Sequence, residues 1–156
     1  MNMIRKSPWI SIFNASSCNG CDIEILALIT PKYDIERFGC VWKTSARHAD
    51  ILLVTGASNE TSKKRLKTVY NQMAPARVVI AVGSCANSGD IFRFCYNIRQ
   101  RVKDVVPVDI YVPGCPPRPE AIIDAVVKAL KMLGKENEKK KNNKKQFKKR
   151  SSKVKK

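Results

Sequence analysis

The sequence predicts an open, mostly parallel α/β sheet of the flavodoxin-like kind, with helices on both faces. Three observations carry this. Continuous apolar runs such as Ile51–Thr55 and Val78–Val82 each stop at a glycine. Such runs suit strands covered on both sides, whereas a half-exposed strand alternates apolar and polar residues. Segments of helical periodicity lie between them. The resulting order, β-α-β-β-α-β-(α)-β-α, is that of right-handed crossovers building one parallel sheet.

The first element, Trp9 to Phe13, alternates apolar and polar and runs into the small polar residues Asn14-Ala-Ser-Ser-Cys18, a strand entering a loop. Asp22 to Ile29 reads as a compact helix with acids in its first turn, stopped by Thr30-Pro31. Asp34 to Phe38 reads as a short strand. Ile51–Thr55 closes at Gly56, and a helix beginning near Asn59 places Leu66, Val69, Tyr70 and Met73 on one stripe. Val78–Val82 closes at Gly83, and Val108–Val112 at Pro113-Gly114. The clearest helix is Arg118 to Leu133, with Pro119 at its start, Gly134 past its end, and an apolar stripe through Ile122, Ala125, Val126, Ala129 and Leu133.

At 156 residues the chain has room for one core. Of its 30 basic residues, twelve fall between Lys135 and Lys156 beside two acids, so +10 of the net +17 belongs to that stretch. Only Phe147 and Val154 are apolar there, which predicts a disordered Lys-rich tail over 135–156 after a domain over 1–134. The charge is too uneven for a uniformly basic nucleic-acid binder, and no groove-reading element accompanies it. The tail reads as a solubilising extension or as an electrostatic contact to anionic lipid. Lys63-Lys-Arg-Leu-Lys67 reads as a solvated helix face. No apolar stretch reaches the roughly 18–20 residues of a spanning helix, and the N-terminus lacks the apolar core of a secretory signal. An intracellular setting is expected, where six cysteines favour metal ligation or buried thiols over disulfides.

Three cysteines fall just past predicted strands: Cys18 after the first, Cys85 in Gly83-Ser-Cys85-Ala, and Cys115 in Pro113-Gly-Cys115-Pro-Pro117. Open α/β sheets gather their ligand sites at the carboxyl ends of strands, so these loops converge on one edge. Cys21 joins through the C-x2-C spacing and completes four sulfurs. Four thiolates suit structural zinc or an iron–sulfur cluster. One C-x2-C with two lone cysteines on separate loops fits a larger cubane better than a single ion, so one 4Fe–4S cluster is expected. Gly20, Gly83, Gly89 and Gly114 let backbone N–H groups approach its sulfurs. Cys40 and Cys95 read as buried core thiols.

Taken together, Ser17-Cys18-Asn-Gly-Cys21-Asp22, His48-Ala-Asp-Ile-Leu-Leu-Val-Thr-Gly56, Gly83-Ser-Cys85-Ala86 and Val112-Pro-Gly-Cys115-Pro-Pro-Arg-Pro119 resemble the small subunit of NiFe hydrogenases. The 20 kDa subunit of complex I belongs to the same superfamily. The resemblance covers roughly residues 8–133. It implies a flavodoxin-like domain with one 4Fe–4S cluster on Cys18, Cys21, Cys85 and Cys115, beside a large subunit that carries the NiFe site. Complex I members have adjacent cysteines at the first motif, whereas this chain has C-x2-C. Two remaining cysteines are too few for the further clusters of uptake hydrogenases. The chain is therefore most similar to the membrane-bound, energy-converting NiFe hydrogenases and the related formate hydrogenlyase.

The resemblance further implies an electron relay serving proton reduction or hydrogen oxidation, with no catalytic metal of its own. It implies a ferredoxin-like iron–sulfur subunit and integral membrane subunits as partners, and a peripheral place on the cytoplasmic side of the cell membrane. A complex I-like quinone oxidoreductase subunit is the alternative. Glu24, three residues after Cys21 on one helix face, is a candidate proton relay, with a dipole-complementing acid as the plainer reading. His48 is a candidate proton or quinone contact, with a solvent-facing histidine as the plainer one. Arg47 and Asp50 beside it are a candidate ion pair.

Overall fold

The computed structural model describes residues 7–98 and 101–134. Five strands, β1 (Trp9–Asn14), β2 (Val41–Trp42), β3 (Ile51–Thr55), β4 (Val78–Val82) and β5 (Ile110–Val112), form one sheet in the order β2-β1-β3-β4-β5. Every pairing is parallel. This is the flavodoxin-like strand order, whose switch point lies between β1 and β3.

The helices are α1 (Gly20–Ala27), α2 (Glu60–Gln72), α3 (Ser84–Ser88), α4 (Val102–Val105) and α5, over residues 119–134. Alternate residues of the central strands point to opposite faces. Ile51 and Leu53 join Ile25 and Leu28 of α1 and Ile122 and Val126 of α5 in one core layer. Leu52 and Val54 join Leu66 and Met73 beneath α2, with Val102 of α4, in the other. All five residues of β3 are buried, as are all five of β4, which is why both read as unbroken apolar runs. Asn59 caps α2, its side chain accepting from the Ser62 backbone N–H at 2.6 Å.

Three expectations need correction. Asp34 to Phe38 is not a strand. Ile35–Phe38 forms a 3-10 turn, and the edge strand is the two-residue β2 beyond it. Asp34 at φ 39° and Gly39 at φ 80° break the extended path on either side. The last strand is shorter than expected, since Val108 and Asp109 precede its first paired residue, Ile110. Cys95 is exposed rather than buried, because residues 90–98 form turns with no sheet to pack on, and Phe94 and Tyr96 face outward. Cys40 is buried as expected. The Lys-rich stretch 135–156 lies outside the described residues. No helix among the described residues is long and apolar enough to cross a membrane.

Candidate metal centre

The strand register brings the cysteine loops together. Asn14 pairs with Thr55, Thr55 with Val82, and Val82 with Val112. Four strands therefore end in one row, spaced about 4.8 Å apart. The loops carrying Cys18 and Cys21, Cys85, and Cys115 leave that single edge.

Backbone bonds stitch the loops to one another. Gly83 and Ser84 donate to the carbonyls of Val112 and Gly114 at 2.9 and 2.8 Å, which ties the Cys85 loop to the Cys115 loop. Asn87 Nδ2 adds a bond to the Val112 carbonyl at 3.1 Å. Across the switch point, Ala15 donates to the Thr55 carbonyl at 2.8 Å. Cys21 lies in the first turn of α1 and Cys85 in the first turn of α3. A Cβ added to Gly83 would stand 2.5 Å from Cys21 Sγ, so only glycine lets the β4 end pass this sulfur. A Cβ on Gly20 would lie 3.6 Å from Cys18 Sγ and 4.0 Å from the Pro116 ring, so the first and last loops meet there.

Two of the thiols, Cys21 and Cys85, are held above their ordinary range. Burial pushes the Cys21 thiol up to about 11, and the charges of Cys85, Cys18, Cys115 and Asp22 push in the same direction. Cys85 is raised by burial first, then by Cys115, Asp90 and Cys18, while its own backbone N–H opposes. Cys21 and Cys85 as thiolates are repelled by the neighbouring sulfurs, and a cation among them would relieve that repulsion. Cys40 is also pushed up to about 11, by burial alone. Among the described residues no group of three or more His, Cys, Asp or Glu side chains is gathered tightly enough to hold a single metal ion. The donor set fits a four-thiolate centre: four sulfurs on three loops, one edge, and a glycine cradle against one sulfur.

The other candidates fall elsewhere. Glu24 is half-buried on α1, one turn beyond Cys21. His48 is exposed, its ring 5.5 Å from that of Trp9. Trp9 opens β1 and His48 precedes β3, so both lie at the amino edge, opposite the cysteines, and His48 does not reach this site. Asp50 accepts from the Trp9 backbone N–H at 3.0 Å, and burial raises its carboxyl while that bond lowers it. No Arg47–Asp50 ion pair is found among the described residues.

Sequence reasoning passed over the groups that shape the first loop. Asn14 Oδ1 accepts the backbone N–H groups of Ser16 and Ser17 at 2.9 and 2.8 Å. Asp22 accepts from Thr55 Oγ1 at 2.6 Å. The signal for Asn14 was present, as an Asn at a strand end before small polar residues, the pattern of an Asx turn.

A parallel α/β domain that gathers four cysteines on loops at its carboxyl edge has the frame of a metal–thiolate protein. The profile of the NADH ubiquinone oxidoreductase 20 Kd subunit matches residues 18–129, and the chain belongs to that family of oxidoreductase subunits. It is 51% identical over 132 residues to the probable membrane-bound hydrogenase subunit mbhJ of Pyrococcus furiosus, covering 85% of this chain and 79% of that protein. It is 37% identical over 134 residues to an NADH-quinone oxidoreductase subunit of an Anaeromyxobacter species, covering 85% of this chain and 76% of that protein. Among solved structures, a chain of the membrane-bound sulfane sulfur reductase, an archaeal respiratory membrane complex, superposes with a TM-score of 0.71 at 39% identity, covering 83% of this chain and 72% of that one.

Proposed function

We propose that this chain is the electron-transfer small subunit of an energy-converting NiFe hydrogenase, holding one 4Fe–4S cluster on Cys18, Cys21, Cys85 and Cys115. The observation that carries the reading is the convergence of the three loops bearing these cysteines on one sheet edge, with Gly83 set against Cys21 Sγ and Gly20 near both Cys18 Sγ and Pro116. The 51% identity to a hydrogenase subunit directs it to the hydrogenase branch. Bound there, the cluster supplies one-electron transfer between a partner's iron–sulfur groups and the NiFe site of a large subunit. The chain's own part is to present the thiolates in fixed register, to bring backbone N–H groups near the sulfurs, and to keep one sulfur, Cys21, out of water.

The surface around the edge suits a partner. Ile23 and Leu26 of α1 are 65% and 54% exposed, and Phe94 in the loop beyond Cys85 is 91% exposed. Apolar side chains left open on both sides of a redox edge fit burial against another protein. We assign that role to the large subunit. A ferredoxin-like iron–sulfur subunit, integral membrane subunits and a peripheral place on the cytoplasmic side of the membrane complete the reading, with residues 1–134 as the iron–sulfur domain and 135–156 as a Lys-rich extension.

The structural likeness to a sulfane sulfur reductase chain favours one second reading, the same relay in a complex that reduces sulfur rather than protons. The test is anaerobic purification of the native complex, with iron, nickel and zinc quantified and hydrogen evolution assayed from a reduced low-potential donor. Nickel with hydrogen evolution is the expected result. Iron without nickel, together with sulfur reduction, selects the second reading. One equivalent of zinc without iron overturns both.

A further inference from the structure

A carboxylate, rather than the backbone alone, holds the loop that carries Cys18 and Cys21. Asp22 Oδ1 accepts from Thr55 Oγ1 at 2.6 Å. Its Oδ2 accepts from Asn14 Nδ2 at 2.6 Å and from Ser17 Oγ. Ser17 Oγ in turn accepts the Asn19 backbone N–H at 3.1 Å. Asn14 Oδ1 takes the backbone N–H groups of Ser16 and Ser17. Residues on both sides of Cys18 are therefore tied to one side chain, either directly or through a single intermediate. Asn14 and Thr55 are the last residues of β1 and β3 and face each other in the register. Asp22 thus spans three elements at the switch point: two strand ends and the first turn of α1. An acid in a helix's first turn complements the dipole wherever it points. That alone does not explain three side-chain donors from separate segments, one of them the fully buried Thr55.

We propose that Asp22 is the positioning residue of the first cysteine pair, fixing the loop that presents Cys18 and Cys21 and lowering, by its fixed negative charge, the reduction potential of the group they hold. The second half rests on the cluster reading; the first does not. Charge-assisted hydrogen bonds are roughly twice as strong as neutral ones, so three on one carboxylate make a stiff anchor. An anion next to a redox centre disfavours each added electron, and Asp22 directly follows Cys21 in the chain.

The test uses the full chain, loaded anaerobically with iron and sulfide, with Asp22→Asn, Asp22→Ala, Thr55→Val and Thr55→Ser compared. Three quantities are read: the rate of iron loss to a chelator, the midpoint potential by EPR-monitored titration, and the rate of Cys18 alkylation in metal-stripped protein by peptide mass spectrometry. Asp22→Ala is expected to lose iron about tenfold faster, the scale of a lost hydrogen bond to a charged group. Asp22→Asn, similar in shape but with an amide –NH2 that cannot accept from Asn14 Nδ2 and Ser17 Oγ as Oδ2 does, is expected to lose iron at a rate between the parent and Asp22→Ala, and to show a raised midpoint potential that Thr55→Val, which loosens the anchor but keeps the charge, does not share. Thr55→Val should lose iron faster and Thr55→Ser should restore the parent rate. Parent potential in Asp22→Asn overturns the electrostatic half. Parent rates in Asp22→Ala, or a Thr55→Ser that behaves as Thr55→Val, overturn the anchoring half. A parent chain that takes up no iron overturns the cluster reading instead. The alkylation arm then decides the anchor: Cys18 reacting several-fold faster in Asp22→Ala supports it, and equal rates overturn it.

Discussion

The segment from Asn14 to Asp22 and the segment from Gly89 to Ile98 both lie beyond the carboxyl ends of strands of the same sheet, yet they are built in opposite ways. In the first, side chains turn inward onto one another, and its charged and polar groups find partners within a few residues or across the switch point. In the second, turns succeed one another and Ile91 and Phe94 are left facing out. Under the proposed function, the contrast separates two tasks. A segment that presents thiolates must be rigid before its ligand arrives. A segment that meets another protein can leave apolar surface open, because the partner completes it.

The largest test of this contrast is a pair of cysteine substitutions. Cys85→Ala should abolish iron loading of the purified chain, while Cys95→Ala, ten residues on in the outward-facing segment, should leave iron content at the parent value. Equal losses would erase the distinction.

A pair of glycines sharpens it next. Gly83 and Gly89 share nearly the same φ, 89° and 87°, but Gly89 is left-handed helical at ψ −16° whereas Gly83, at ψ 158°, sits where almost only glycine goes. At Gly83 a Cβ would lie 2.5 Å from Cys21 Sγ, whereas at Gly89 the nearest atom is 3.4 Å away. Gly89→Ala therefore costs about 1–2 kcal/mol of left-handed strain, while Gly83→Ala adds a steric displacement of a buried sulfur and costs more. Urea denaturation of the two variants should rank them in that order, and iron loading should fall only in Gly83→Ala.

A smaller effect concerns protons. In the metal-free chain the Cys21 and Cys40 thiols are pushed from 9.0 up to about 11. The folded state then holds these protons more tightly than the unfolded state. The stability from this source is fully present below pH 9 and is lost as pH rises toward 11. The urea midpoint of the metal-free chain should fall across that window, and Cys40→Ala should flatten part of the slope. A midpoint that rises there would contradict the assigned burial.

The smallest change in the isolated chain is expected from Phe94→Ser, within about 0.5 kcal/mol because the ring touches little. The same substitution should weaken co-purification with the large subunit. A strongly destabilised isolated chain would show that the ring packs at home.

Much of the fold could be read directly. The buried runs of β3 and β4 announce a two-sided sheet, and Pro119 and Gly134 bracket α5. Strand ends leading into cysteine placed the site at one edge, since a parallel sheet sends all such loops the same way. The features that stayed hidden depended on the third dimension. Asp34 to Phe38 has the apolar and charged mixture of a strand, and only its left-handed flanks reveal the turn. Cys95 sits among aromatics, which usually signals a core, but burial requires a neighbouring layer that this segment lacks. Asp22 looked like an ordinary first-turn acid because its donors, Asn14 and Thr55, come from two different strands.

The row formed by Asn14, Thr55, Val82 and Val112 has a consequence for biosynthesis. Chains emerge from the ribosome amino end first. When Val82 has just been added, two of the four sulfurs are present and the edge they need is incomplete. Cys115 joins only after β5 has docked beside β4. A centre that uses all four sulfurs would therefore be completed only once residue 115 has been added and β5 has paired with β4.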